Sequence, residues 1–325
     1  MFGRVRRQLF RTDARPVRIA ILVLGMHRSG TSSVAGSLIR LGGDAPLHLT
    51  PAQPDNNERG FWESSVITDL SDEILSAGGS DWQDWRNFDL DRIDGTVATS
   101  MRARARSALL AEFGEARLPV IKDPRMCRLM PFWSSVFRDL KWSVRAVLPL
   151  RSPLEVALSL NHRDGIALSW ASLIWLRHVL EAEVESRGMP RAVLNWQDFL
   201  DDPRGSLGRV GGSLNLTWPR WDGRAFAEID EYVSRDLRHH RASLAQLRAH
   251  PAMNDLVCET YGAMLELVRR ANNLRAWRRL NSLRARFENG AGIFDNVIHE
   301  LQDEVRQLRS TAAEPFELMI PRAAE

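Results

Sequence analysis

The chain has 325 residues, and 44% of them are hydrophobic, which excludes global disorder and allows a sizeable core. Its formal charge is +3, which is too small to favour a general nucleic-acid binder. Arginine supplies all but two of the 44 cationic side chains, and its planar fork favours contacts to phosphate or sulfate groups.

Neither the cysteines nor the N-terminus indicates export. Cys127 and Cys258 lie far apart and match no metal or redox spacing, so we expect core thiols in a reduced, cytoplasmic compartment. Residues 1–16 are basic and lack the apolar core of a secretory signal, which predicts a solvated tail, with peripheral contact to an anionic membrane as the alternative. No integral membrane segment is expected, because the apolar run at residues 19–24 is too short.

The first elements predict an anion site. Residues 19–24 form an apolar run typical of a buried strand, and residues 31–41 carry apolar side chains at helical spacing. The short loop between them has a glycine at both ends, so its amides and the helix dipole converge on one point. The loop fits the phosphate-binding pattern G-x-x-x-x-G-K-[ST], except that Thr31 occupies the lysine position and the cation is Arg28.

The chain then alternates between helices and strands. Residues 80–94 predict a loop or short-helix lid over a cleft. The other predicted elements are strands at 118–121, 144–150 and 192–196 and helices at 64–75, 97–113, 126–140, 154–160, 166–187 and 203–214. This alternation predicts an α/β fold of the P-loop-like, three-layer kind, with a mainly parallel sheet flanked by helices and a C-terminal helical extension.

The C-terminal part is predicted to be helical. Residues 254–310 carry helical spacing, and glycines at 290 and 292 predict a break before a last helix at 293–308. The last helix has an apolar stripe that we expect to mediate self-association. The predicted organisation is a basic tail at 1–16, an α/β domain at 17–250 and a helical extension at 251–325.

Three of the four predicted strands end at candidate anion ligands. The first strand ends at the glycine loop, the second at Lys122 and the third at Arg151. Because ligands of parallel sheets bind at the carboxyl ends of the strands, we expect these groups to lie close together.

Four segments resemble blocks of the sulfotransferases that use 3′-phosphoadenosine 5′-phosphosulfate (PAPS), in particular bacterial carbohydrate-type members. Gly-Met-His-Arg-Ser-Gly-Thr-Ser is similar to their 5′-phosphosulfate loop. Asn-Glu-Arg-Gly-Phe-Trp-Glu, Lys-Asp-Pro-Arg and Arg-Ser-Pro-Leu-Glu-Val-Ala-Leu-Ser are similar to later blocks, in the order of the family. The resemblance covers about residues 17–200 and implies that the domain at 17–250 binds PAPS.

The resemblance also implies roles for individual residues. The expected cofactor-binding residues are Arg28, Ser29, Gly30, Thr31 and Ser32 at the 5′ end of PAPS and Arg151 and Ser159 at its 3′ phosphate. The expected catalytic residues are Glu63 as general base, Arg28 and Lys122. Glu58 is the rival base. A glutamate beside Phe61 and Trp62 is expected to be partly desolvated, which suits a base; the structural alternative is a glutamate that stabilises a helix N-terminus.

Several assignments stay open at this stage. Asp123 is expected to orient Lys122 or Arg28, or to form a salt bridge with Arg125. Trp196 is expected either to stack on the adenine or to lie in the core. The basic cluster at residues 235–241 lies where the family often brings a late basic element to the cofactor, but the familiar glycine- and lysine-bearing version is absent, so a solvated helix face is an equal alternative.

The expected function is transfer of the sulfuryl group of PAPS to a hydroxyl or amine by in-line displacement, with PAP as product and no metal. Loops at 44–60 and 78–95 are expected to line the acceptor site, and Trp82 and Trp85 suit stacking on a sugar, which favours a glycan or glycolipid acceptor. No nucleic-acid partner is expected. The alternatives are a P-loop kinase or NTPase, which normally needs a loop lysine and Mg²⁺, and a non-catalytic scaffold that retains the fold.

Overall fold

The computed structural model of the protein describes residues 17–54, 56–233 and 242–312. The basic tail at 1–16 and the basic cluster at 235–241 therefore lie outside the described residues, and their roles stay predictions.

The described residues form one four-stranded sheet in which every strand pairs in parallel, in the order β2-β1-β3-β4. Its strands are β1 (Ile19–Val23), β2 (Val120–Lys122), β3 (Ser143–Leu150) and β4 (Arg191–Asn195). The predicted α/β fold with a parallel sheet is confirmed. The fourth strand was expected to include Trp196, and this was wrong: the Asn195 side chain accepts hydrogen bonds from the amides of Gln197 and Asp198, and so caps a helix that begins at once.

Helices follow or precede each strand, mostly at the positions expected from apolar spacing. They are α1 (Thr31–Arg40), α2 (Ser65–Ala77), α3 (Gly95–Phe113), α4 (Met126–Asp139), α5 (Pro153–Asp164), α6 (Leu168–Glu185), α7 (Trp196–Asp201), α8 (Pro203–Ser213), α9 (Gly223–Tyr232), α10 (Leu244–Ala249), α11 (Asp255–Arg269) and α12 (Leu274–Ala312), with a short 3₁₀ turn at Leu90–Arg92.

The sheet separates two apolar clusters, which gives three layers. Along β1, Ala20 and Leu22 pack on one face, and Ile21 and Val23 pack on the other, as the two-residue period of a strand requires. The first face is covered by side chains from α2 to α6 and from α11 and α12. The second face is covered by α1 and by α7 to α9. Because both faces are buried, the central residues of the strands are apolar, and the polar residues stand at or near the strand ends.

Helix α12 corrects one expectation. The predicted break at residues 290–292 is absent, and α12 continues through both glycines, neither of which has a positive φ. Glycine weakens a helix by about 1 kcal/mol relative to alanine but does not prevent helical geometry. The preceding turns hold the helix, because Leu280, Leu283 and Phe287 are buried in the same cluster as the sheet.

Beyond these turns the apolar stripe is exposed. Val297, Leu301 and Leu308 each expose more than half of their surface. Self-association through this stripe stays a prediction. None of the helices in the described part of the chain combines the length and the apolar character that a membrane crossing requires.

The continuity of α12 can be tested by replacing its glycines. We expect Gly290→Ala and Gly292→Ala each to raise the free energy of unfolding by about 0.5–1 kcal/mol, because both sites have helical geometry and open space for a Cβ. Urea unfolding followed by far-UV circular dichroism measures this. Gly165→Ala is the matched control: Gly165 also has open space but a φ of 70°, so alanine should destabilise there. Destabilisation at 290 or 292 would show that the chain leaves helical geometry at that glycine.

Candidate functional site

A cleft of about 960 Å³ lies at the carboxyl ends of the strands. Residues that follow β1, β3 and β4 line it, as does the last residue of β2. Of the residues predicted to act at the site, those that line the cleft are Arg28, Gly30, Thr31, Ser32, Glu58, Glu63, Lys122, Arg151 and Ser159. Ser29 is different: this loop residue is buried and does not line the cleft, and its hydroxyl has no hydrogen-bond partner within the described residues.

The loop after β1 is held in an unusual backbone conformation. Arg28 and Gly30 both have left-handed φ values, 66° and 84°. A side chain at Gly30 would overlap the Trp196 ring, so only glycine lets the loop lie on this tryptophan. Trp196 is buried in the core cluster below, which favours the core alternative for it, although its edge contributes to the cleft. Strained loops of this kind are common where a backbone must face a ligand.

Helix α1 begins without a side-chain cap. Its N-cap residue is Gly30, and no side chain accepts a hydrogen bond from the first turn. The first amides of a helix have no partner within the helix, so they are available to an anion, and the helix dipole adds positive potential there. Thr31 and Ser32 place their hydroxyls at the same end and line the cleft.

Lys122 and Glu63 form a buried ion pair at the end of β2. Lys122 Nζ contacts Glu63 Oε1 and also lies 3.3 Å from Ser32 Oγ. Lys122 is 5% exposed and Glu63 7% exposed. Glu63 precedes Ser64, whose hydroxyl caps α2 by accepting from the Ile67 amide, so Glu63 stands outside the helix and its carboxylate turns to Lys122. The residue that stabilises the start of α2 is therefore Ser64, and not Glu63.

The Arg28 side chain extends to a different part of the cleft. Its Nε donates to Ser159 Oγ at 2.8 Å, and Nη1 donates to the backbone oxygen of Asn56 at 3.1 Å. Burial, and then repulsion from Arg163 and Arg151, lowers the pKa of Arg28 to about 10, so it stays charged at neutral pH. Within the described ranges it makes no hydrogen bond to Lys122 or Glu63, so the two cations serve separate regions of the cleft.

Arg151 and Ser159 meet around Arg28. Arg151 follows β3 and donates from Nη1 to the backbone oxygen of Arg28 at 3.0 Å, and from Nε to Glu155 Oε2 at 2.9 Å. Ser159 lies two turns into α5, where its hydroxyl accepts from Arg28. The spacing of eight residues between Arg151 and Ser159 thus brings a guanidinium and a hydroxyl to one wall.

Asp123 pairs with Arg125, which is the second of the alternatives expected for it. Its Oδ1 accepts from the Arg125 amide at 3.0 Å and lies 3.3 Å from Nη1. Burial raises the pKa of Asp123 to about 6; Arg125 opposes the rise, and the Glu63 carboxylate adds to it. Arg125 also contacts Asp72 of α2 at 2.5 Å, so this pair fastens α2 to the end of β2 rather than orienting Lys122.

Some residues of the cleft had no role assigned from the sequence. Asn57 donates to Ser32 Oγ at 3.0 Å, and the Tyr232 hydroxyl donates to the Ser32 backbone oxygen at 3.1 Å. His27 packs against Trp82 with ring centroids 4.5 Å apart, and burial lowers its pKa well below the usual value. Asn57 and His27 stand inside the segments that carry the resemblance, whereas Tyr232 is 200 residues from Ser32 and has no local signal.

The loop at residues 80–88 carries two tryptophans with different environments. Trp82 lines the cleft. Trp85 is 3% exposed and packs edge-on against Trp170 and beside Phe287, so the expectation that it stacks on an acceptor is wrong. The buried Arg177 holds the backbone of this residue as well, because its Nε donates to the Trp85 backbone oxygen at 2.7 Å.

Searches for known relatives gave limited results. No family model matches the chain, and no curated protein matches it.

Among the described residues there is no group of three or more His, Cys, Asp and Glu that could hold a metal ion.

Three solved structures resemble the chain over about three quarters of its length. The sulfotransferase domain of the Synechococcus PCC 7002 olefin synthase is 14% identical, with 77% of this chain and 96% of that domain covered and a TM-score of 0.42. The sulfotransferase domain of the curacin biosynthetic pathway is 16% identical, with 77% and 98% covered and a TM-score of 0.42. Sulfotransferase STF1 from Mycobacterium tuberculosis H37Rv is 14% identical, with 78% of this chain and 76% of STF1 covered and a TM-score of 0.42.

Proposed function

We propose that this protein is a sulfotransferase that moves the sulfuryl group of PAPS to a hydroxyl or amine of an acceptor by in-line displacement. The observation that supports the proposal is the presence of two separate clusters of cationic and hydroxyl groups in one cleft. One consists of the uncapped start of α1, Ser32 and Lys122, and the other consists of Arg28, Arg151 and Ser159. PAPS has a 5′ phosphosulfate and a separate 3′ phosphate, whereas the phosphates of ATP form a single chain.

The residues of the cleft fit such a donor. The first amides of α1 have no side-chain cap and are unused donors beside the loop. Together with Thr31, Ser32 and Lys122 they would hold the 5′ end. Arg151 and Ser159 would hold the 3′ phosphate, since an arginine fork binds two phosphate oxygens.

The Lys122–Glu63 pair supplies the groups that the reaction needs. When bound, PAPS would supply the activated sulfuryl group. Glu63 would accept the proton of the acceptor hydroxyl, and Lys122 would stabilise negative charge that develops on the leaving oxygen. Because protonation of Glu63 removes the negative partner of Lys122, proton transfer would release the full charge of Lys122 toward that oxygen.

The acceptor that suits the remaining lining is a glycan or glycolipid. Trp82 offers an aromatic surface, and Thr68, Asp69 and Asp72 of α2 offer hydroxyl and carboxylate groups in the same cleft. Sugars combine an apolar ring face with many hydroxyls, which matches an aromatic ring beside polar side chains. Incubation with ³⁵S-labelled PAPS and host extracts, followed by identification of the labelled product, tests this choice.

The donor can be tested by ligand-dependent stability. We expect PAP, the desulfated donor, to stabilise the protein by about 2.7 kcal/mol at a concentration 100 times its Kd, because it binds the folded state alone. Thermal unfolding with and without PAP measures the shift, with ATP and Mg²⁺ as the comparison. Stabilisation by ATP with Mg²⁺ and none by PAP would contradict the proposal and favour the kinase or NTPase alternative.

The base can be tested by two matched amide variants. We expect Glu63→Gln to lower sulfate incorporation from labelled PAPS by about 10²- to 10⁴-fold, the usual contribution of a general base. PAP-induced stabilisation should persist in this variant, which separates proton transfer from binding and from the scaffold alternative. Glu58→Gln is the control, and its sulfate incorporation should stay within a few-fold of the wild-type value. The opposite pattern would transfer the role of base to Glu58.

A further inference from the structure

We propose that Glu155 is a positioning residue that fixes Arg151 for a phosphate group at the Arg151–Ser159 wall of the cleft. This inference rests on the proposed function, because it concerns the 3′ end of the same donor. Glu155 has no place among the residues expected to bind or react.

The contacts of Glu155 join three segments that are distant in sequence. Its Oε2 accepts from Arg151 Nε at 2.9 Å, just after β3. Its Oε1 accepts from the backbone amide of Ala242 at 3.0 Å, just before α10. Gln197 of α7, which follows β4, approaches the same carboxylate with Nε2 at 3.4 Å. Glu155 thus ties the guanidinium to two other parts of the scaffold.

A merely local role does not account for this carboxylate. An acidic residue in the first turn of a helix stabilises the helix dipole, and Glu155 stands in the first turn of α5. An exposed glutamate would serve that purpose equally well, yet Glu155 is 1% exposed. Burial of a charge is costly unless it is paired and hydrogen-bonded, and the pairing here is with Arg151.

The consequence for Arg151 is a fixed orientation. Glu155 holds Nε, and the Arg28 backbone oxygen holds Nη1. Nη2 donates no hydrogen bond among the described residues, and Arg151 lines the cleft. A free arginine loses considerable rotamer entropy when it binds, so a guanidinium that is already held binds an anion more tightly.

The charge of the Glu155 carboxylate also opposes the binding of an anion by Arg151, so electrostatics and positioning predict opposite results when it is removed. By simple Coulomb attraction, removal of a negative charge beside Arg151 should tighten the binding of any anion. If positioning dominates, removal of the same charge should weaken it. In Glu155→Gln one of the two oxygens becomes an NH₂ group, which meets an N–H donor at Arg151 or at Ala242.

The experiment compares PAP with adenosine 5′-phosphate, which lacks the 3′ phosphate, by calorimetric titration. We expect Glu155→Gln to lower the affinity for PAP about tenfold and to change the affinity for adenosine 5′-phosphate by less than twofold. Glu155→Asp keeps both acceptor oxygens and should recover part of the PAP affinity; it also serves as the second variant if Glu155→Gln does not fold.

The matched control is Glu183→Gln. Glu183 of α6 is also 1% exposed and pairs with Arg191 at 2.9 Å, but it does not line the cleft. We expect this variant to lower the melting temperature without changing the ratio of the two affinities.

The outcomes separate the inference from the function beneath it. If wild-type protein binds PAP, and Glu155→Gln leaves the ratio unchanged, tightens PAP binding, or weakens both ligands equally, the positioning role is overturned and the proposed function stands. If Glu155→Gln does not fold, an unchanged ratio in Glu155→Asp overturns the positioning role in the same way. If wild-type protein does not bind PAP, the proposed function fails, and the positioning role fails with it.

Discussion

The parallel register of β1 with its two neighbours brings the candidate binding residues at the strand ends to the same edge of the sheet. Val23 at the end of β1 is level with Lys122 on one side and with Val147 on the other. The glycine loop, the lysine and the segment that follows β3 therefore leave the sheet at one edge. Any other register would move a cation away from the uncapped start of α1, and the cleft would lose one of its two clusters of cationic and hydroxyl groups.

Buried charge in this protein is arranged in pairs with different consequences. Lys122 and Glu63 face each other in the cleft, so a proton or an anion that reaches one changes the electrostatics of the other. Arg125 and Asp123 lie behind them and hold α2 to the sheet. Arg151 is held by a carboxylate that reaches two further segments. The cost of burying these groups is offset only by good geometry, so the pairs also fix the elements that carry them.

Local patterns predicted the α/β fold and most of the residues that line the cleft, because both depend on short-range signals. Apolar runs and helical spacing identified the strands and most helices, and glycine spacing identified the loop. Two of the failures were tertiary in origin. Trp85 looked like Trp82 in sequence, yet its ring packs in the core against Trp170 and Phe287, which lie far from it in the chain. The glycines of α12 suggested a break, yet packing of the preceding turns against the sheet carries the helix through them.

The sequence by itself determined the strand–loop–helix unit, the cations at the strand ends and the resemblance to PAPS-dependent sulfotransferases, because residue type, spacing and order are local properties of a chain. Only the tertiary structure decided which of these side chains meet. It joined Arg28 to Ser159, Glu63 to Lys122 and Glu155 to Ala242. Partners of a buried charge are chosen by the packing of whole helices and strands, and no local pattern records that choice.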